Sequence, residues 1–197
     1  MALLDLIQRQ LDDKTVSQLS QQLGADPNTT RQAVPAALTA LLGGLSQNAQ
    51  QPGGAQQLDT ALDGHDGSIL DNLGGLLGGG SLGSQGAGIL GHIFGNHQPA
   101  VASQIGQRTG LDTAQASRLL MLLAPLVLGY LARARGQQGT TPGAGGITDV
   151  LNGERTHIEQ AHPEHRGILN WILDRNHDGQ ILDDVTSMAG GLLRGGR

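Results

Sequence analysis

The chain of 197 residues contains no cysteine, which removes disulfide cross-links and thiolate chemistry from the ways it could be stabilised or act. Aromatic residues are almost absent too: Phe94, Tyr130 and Trp171 are the full set. A core must therefore be assembled from Leu, Ile, Val and Ala. The β-branched and aromatic enrichment that sheets favour is missing, while Leu, Ala and Gln suit helix-on-helix packing. An excess of positive charge is also lacking. The formal net charge of −5 gives no general attraction to phosphate backbones or anionic lipid, so nucleic acid is not an expected partner.

Long apolar runs are missing as well. The most apolar stretch, Leu119 to Leu131, is 13 residues with Pro125 inside it. That is shorter than the roughly 20 residues a membrane span requires, so it reads as a buried core helix and no membrane insertion is expected. Met1 to Leu11 carries Asp5 and Arg9 within its apolar pattern, unlike a secretory signal, and reads as the first helix. A cytoplasmic location is the expectation, with export by another route left open.

What the sequence has in quantity is glycine, 32 residues, about twice the typical usage of roughly 7%. It also has an internal repeat. At an offset of 86, Ser17 and Gln18 meet Ser103 and Gln104, Gly24 meets Gly110, Asp26 meets Asp112, and Leu42, Gly43 and Leu45 meet Leu128, Gly129 and Leu131. Each copy reads as a helix ending at the glycine, a short turn, an aspartate N-cap and a longer apolar helix. The fold class expected is all-α: a duplicated helix-turn-helix-like module, a Gly-rich connector and a C-terminal helical hairpin.

The corresponding divisions are 1–46 for the first copy, 47–91 for a Gly/Gln-rich connector with short helices, and 92–135 for the second copy. A linker over 136–146 and a C-terminal helical segment over 147–197 complete the chain. Much of this connector, with its Gln-rich stretch 47–57 and Gly-rich stretch 74–91, reads as mobile. The glycines of Gly74 to Gly80 in particular make a poor helix, because each costs roughly 1 kcal/mol relative to Ala, and read as a linker. No phosphate-loop pattern and no preceding strand accompany these glycines.

The sharpest local motif is Asp174-Arg175-Asn176-His177-Asp178-Gly179-Gln180-Ile181-Leu182-Asp183-Asp184. It opens as an EF-hand calcium loop does: alternate oxygen-bearing side chains, then a glycine for the sharp turn, then an apolar residue. A hard divalent ion needs several oxygens converging on one point. Asp174, Asn176 and Asp178 would supply side chains and Gln180 its carbonyl. The closing bidentate glutamate is missing, since Val185 stands in its place, and Asp183 or Asp184 is left to close the site. A shadow of the motif at His65 to Leu73 retains only Asp66 of the ligating set and reads as a capped helix start.

His157, His162 and His165, with Glu159 and Glu164 nearby, are the densest imidazole cluster. Their spacing, broken by Pro163, does not present one helical face, so they read as exposed histidines at a polar helix end rather than as transition-metal ligands. His92 and His97 read the same way. The unit from Val16 to Leu38 also has the outline of a DNA-binding helix-turn-helix, with Asn28, Arg31 and Gln32 on its second helix and Gln115 and Arg118 in the second copy. That is a thin basic footprint. No catalytic triad, metalloprotease histidine pair or carboxylate pair on a plausible scaffold is present, so no enzymatic activity and no small-molecule substrate are expected.

Several stretches together carry a family resemblance: Leu3-Leu4-Asp5-Leu6, Leu41-Leu42-Gly43-Gly44-Leu45, His65-Asp66-Gly67-Ser68-Ile69-Leu70-Asp71, Gly91-His92-Ile93-Phe94-Gly95 and Leu123-Ala124-Pro125-Leu126. With them the chain resembles the bacterial domain-of-unknown-function 937 family, which includes YidB-like proteins, over roughly residues 1 to 135. The resemblance implies a bacterial helical protein and carries over no catalytic residue. The expectation is a structural calcium-binding protein, with two alternatives: a self-assembling or scaffolding homo-oligomer, or a weak helix-turn-helix DNA binder.

Overall fold

The computed structural model describes residues 3–10, 12–63, 82–137 and 144–174, and among them every regular element is helical. In chain order the helices are α1 (Leu3–Gln10), α2 (Asp13–Leu23), α3 (Pro27–Gln50), α4 (Gly54–Asp63) and α5 (Leu82–Phe94). They continue with α6 (Gln98–Thr109), α7 (Thr113–Gln137), α8 (Ala144–Ala161) and α9 (Arg166–Leu173). Short 3-10 turns, Gly95–His97 and Pro163–His165, lead into α6 and α9.

Local chemistry sets the ends of the two long hairpins. Asp12 accepts from the Thr15 N–H at 2.8 Å and starts α2, and Val16, Leu19 and Leu23 then fall on one buried stripe. The helix stops at Gly24, whose left-handed φ of 66° suits a residue without Cβ. Asp26 restarts the chain by accepting from Asn28 N–H, and Pro27 occupies the first helical position, where no backbone donor is needed. The same sequence of events recurs at α6 and α7. Gly110 ends α6 with φ 84°, Asp112 accepts from Gln115 N–H at 2.7 Å, and the Gln115 side chain accepts from Asp112 N–H at 3.0 Å, a reciprocal capping box.

The long helices of the two hairpins, α3 and α7, pack against each other and form the interior, around which the others are laid. Leu38, Leu41, Leu119, Leu123, Val127 and Leu131 are buried here. Each such side chain contributes about 1.5–3 kcal/mol of transfer free energy, so this seam outweighs any polar contact in the fold. α7 is long and apolar enough to cross a membrane, but 72% of its apolar window is buried within the fold, as in a core helix. Helix α5 packs on α7, α8 on α3 and α4, and α9 on α3.

Two details differ from what composition alone suggests. Residues 82–91, part of the Gly-rich connector, lie within helix α5, where Gly86 is buried so close to the Met121 carbonyl of α7 that a Cβ would overlap it. The missing side chain brings two backbones together, and packing offsets the low helix propensity of glycine. Helix α4 is likewise tied down: Arg135 of α7 donates to Asp59 at 2.6 Å and Asp63 at 2.8 Å. The Gly74 to Gly80 run and the His65 to Leu73 motif lie outside the described residues.

Candidate functional site

Helix α9 leads into the calcium-like loop. Ile168, Leu169 and Ile172 are buried, and the last two press on α3 at Gly43, where a Cβ would stand 3.2 Å from Leu169 Cδ1 and 3.3 Å from Ile172 Cγ2. Asp174 follows the last helical residue directly; its N–H donates to the Asn170 carbonyl at 2.9 Å, and it is only 8% exposed. It lines a cleft of about 280 Å³ together with Trp171, Ile172, His97 and Gln51. Asn176, Asp178, Gln180, Asp183 and Asp184 lie outside the described residues.

A second polar centre lies between α1 and the C-terminal end of α8. On α8, Glu154 and His157 sit three positions apart and face α1. Glu154 is buried and accepts twice: from the Leu3 N–H at 2.9 Å and from the Tyr130 hydroxyl at 2.7 Å. A carboxylate at the first turn of α1 meets both unsatisfied backbone donors and the positive end of the helix dipole. Burial, and then the bond to Glu154, push the Tyr130 hydroxyl far above the usual phenol range, so it remains a donor.

One turn further on, Asp5 of α1 meets the imidazoles. His157 Nε2 lies 3.2 Å from Asp5 Oδ2, and His162 Nε2 lies 3.7 Å from Asp5 Oδ1. On its other side His162 Nδ1 is 3.3 Å from Glu164 Oε1, which in turn is 3.6 Å from His165 Nε2. The rings of His157 and His162 meet edge to face with centroids 5.9 Å apart. The reading of these histidines as exposed is corrected by the fold: the His162 and His165 side chains are each only 14% exposed. The reason is tertiary: Asp5 of α1 reaches His157 and His162, and the turn at Pro163 sets His165 beside His162, at a cleft lined by Gln32 and Pro35 of α3 and Arg108 of α6.

Electrostatics follow from this packing. Burial lowers the His165 pKa, and the neighbouring His162 pushes it the same way against the pull of Glu164. Glu164 is held below the ordinary carboxylate range by its own backbone N–H, with His162 and His165 adding to the effect. His92 and His97, in contrast, are exposed, as their sequence context suggests.

Of the side chains that gave the hairpins a helix-turn-helix outline, Asn28 and Gln32 are exposed, while Gln115, Arg118 and Arg31 have partners. Gln115 donates to the Gly24 carbonyl and Arg118 to the Gln22 carbonyl, each at 2.8 Å, capping the end of α2. Arg31 pairs with Asp13 at 2.5 Å. Sequence reasoning missed Asp5, Glu154 and Tyr130 as members of a polar centre. Only the three-residue spacing of Glu154 and His157 pointed that way, and it did not name a partner helix.

The molecule is thus defined as an all-helical protein built on two Gly-turn, Asp-capped hairpins, with a polar centre where its first helix meets α8. The chain belongs to the family described as "Bacterial protein of unknown function (DUF937)", whose model matches residues 5–134. No curated protein and no solved structure matches it.

Proposed function

We propose that the protein is a structural calcium-binding protein rather than an enzyme, with the ion held by the loop from Asp174 to Asp184. The observation that supports this most directly is the placement of Asp174. It emerges, mostly buried, from a helix clamped on α3, which is how the first ligand of a helix-bounded calcium loop must be presented. Asn176 and Asp178 follow at alternate positions, Gly179 provides the turn, Gln180 offers a carbonyl, and Asp183 or Asp184 closes the site. Coordination would pin the turn and order the segment beyond α9. A cytoplasmic setting fits this reading, and with Val185 in place of the bidentate glutamate the affinity is expected to be modest.

The alternatives draw less support. Self-assembly through the apolar α7 would need an exposed remainder, whereas Leu119, Leu120, Leu123, Leu126, Val127 and Leu131 are all buried. DNA binding would need a basic face on the second helices, whereas Arg118 caps the end of α2 and Arg31, at the surface, is paired with Asp13.

Isothermal titration of calcium into the chelator-treated full chain tests the proposal, alongside an Asp174→Ala, Asp178→Ala double variant. Saturable one-site binding that is lost in the variant supports it. Absence of binding by the folded wild-type chain, or binding unchanged in the variant, rejects it.

A further inference from the structure

The geometry points to a second metal site, distinct from the calcium loop: Asp5, His157 and His162 form a centre for a divalent transition-metal cation of the zinc type, with Glu164 as the carboxylate that orients His162. Two of its three donors lie beyond the stretch matched by the family model, so the family match says nothing about it.

Three independent features carry the assignment. The first is spacing. One donor atom from each of Asp5, His157 and His162 can be chosen so that all three lie within 4.8 Å of one another; His157 Nε2 is 3.2 Å from Asp5 Oδ2, and His162 Nε2 is 3.7 Å from the other oxygen, Oδ1. Ligand atoms held tetrahedrally at about 2.0–2.1 Å from one zinc ion stand about 3.3–3.4 Å apart, a separation these side chains reach by closing in on the ion through rotamer adjustment.

The second is the state of the nitrogens. Nε2 of His157 and Nε2 of His162 are both shielded from water, and neither makes a hydrogen bond despite its approach to Asp5. A buried ring nitrogen without a partner is costly, and two of them directed at one carboxylate are accounted for by a shared cation.

The third is the arrangement around His162. A carboxylate only accepts, so the contact with Glu164 at 3.3 Å assigns the ring proton to Nδ1. In the neutral ring Nε2 then presents its lone pair to the Asp5 carboxylate, an acceptor facing an acceptor. A cation between them turns that repulsion into coordination. A histidine whose outer nitrogen donates to a carboxylate while its inner nitrogen faces a ligand cluster is the arrangement that metal-bound imidazoles adopt.

The donor set selects the kind of ion. Two imidazoles and one carboxylate suit zinc and its neighbours, whereas calcium and magnesium favour all-oxygen sites. Asp5 and His157 are about one-third exposed, which leaves a solvent side for water to complete the coordination. Such an ion would bridge α1 and α8, fastening the first helix beside the Leu3 to Glu154 bond.

The test uses tag-free, chelator-treated full-length protein titrated with zinc by calorimetry and with cobalt by visible absorption. The variants are Asp5→Asn, His157→Ala, His162→Ala and Glu164→Gln, each checked for wild-type helicity by circular dichroism, with His97→Ala as control. Expected are one saturable zinc site and a tetrahedral cobalt spectrum. Affinity should fall at least roughly tenfold in the two histidine variants and in Asp5→Asn, fall roughly 10- to 100-fold in Glu164→Gln, and stay unchanged in His97→Ala. The zinc-dependent rise in melting temperature should disappear with the site. The assignment is overturned if the folded wild-type chain shows no saturable binding, or if binding survives all four substitutions. It is equally overturned if nitrogen NMR of the zinc-treated chain shows both ring nitrogens of His162 protonated at neutral pH, which would make a proton the cation. The Asp174→Ala, Asp178→Ala variant should bind zinc as wild type does, so the two metal proposals stand or fall separately.

Discussion

Gln115 donates its side-chain amide to the carbonyl of Gly24 at 2.8 Å, and the pair one repeat offset away meets in reverse: Thr29 approaches Gly110, whose Cβ, if it had one, would lie 4.0 Å from Thr29 Cγ2. Each hairpin thus sets the start of its long helix against the glycine that ends the short helix of the other. The two contacts join positions that correspond at the repeat offset of 86. The two contacts are not equal, since Gln115 makes a hydrogen bond and Thr29 only packs.

Replacing Gln115 by Ala should therefore cost more than replacing Thr29. Gln115→Ala removes both the capping-box acceptor and the donor to Gly24, for an expected loss of about 1 kcal/mol. Thr29→Ala should lose a few tenths of that. Urea denaturation followed by circular dichroism gives both values, and equal losses would contradict the asymmetry.

Gly44→Ala should destabilise by about 1–3 kcal/mol, because a Cβ there would stand 2.5 Å from Phe94 Cε1 and 2.6 Å from Ile93 Cγ2. Phe94→Leu in the same background should recover part of the loss, and a double-mutant cycle measures the coupling. At Gly43 the nearest atom is 3.2 Å away, so Gly43→Ala is expected to be milder.

Glu154→Gln keeps one acceptor for two donors, and Glu154→Ala keeps none. Losses of about 1–3 kcal/mol are expected, with Ala the worse. The more specific readout is amide exchange. Protection in α1 should fall before protection in α3 or α7 does, since the Leu3 bond anchors only the first helix.

The Asp12 carboxyl is held below the ordinary range first by its hydrogen bond from Thr15. A lowered folded value means that its contribution to stability is present above the unfolded carboxylate value and is lost as pH falls through the folded one. Carbon NMR titration of the Asp12 carboxyl should show the depressed midpoint. Thr15 N–H should shift with it, and Asp12→Ala should abolish that coupled shift.

Much of this architecture could be read from the chain because its determinants are local. Gly24 and Asp26, like Gly110 and Asp112, act on the two or three residues beside them, so spacing alone locates both hairpin turns. The apolar run from Leu119 to Leu131 likewise announces a buried helix through its own composition. The polar centre could not be read this way. Asp5 and the imidazoles of His157 and His162 become neighbours only when α1 is brought to the C-terminal end of α8, and no periodicity within either helix encodes that meeting. The glycines of α5 misled for the same reason: in isolation they weaken a helix, and only the approach of α7 gives Gly86 its place. The Asp174 loop is a local signal of the first kind, and its test is binding rather than packing.

The bond between Leu3 and Glu154 joins positions 151 residues apart. At synthesis rates of about 5–20 residues per second, the ribosome needs roughly 8–30 s to deliver the partner of the first helix after that helix has been made. Throughout that interval Asp5 lacks His157 and His162, the histidines it meets in the fold. The polar centre is therefore among the last parts of the nascent molecule to assemble, after both hairpins have had time to close.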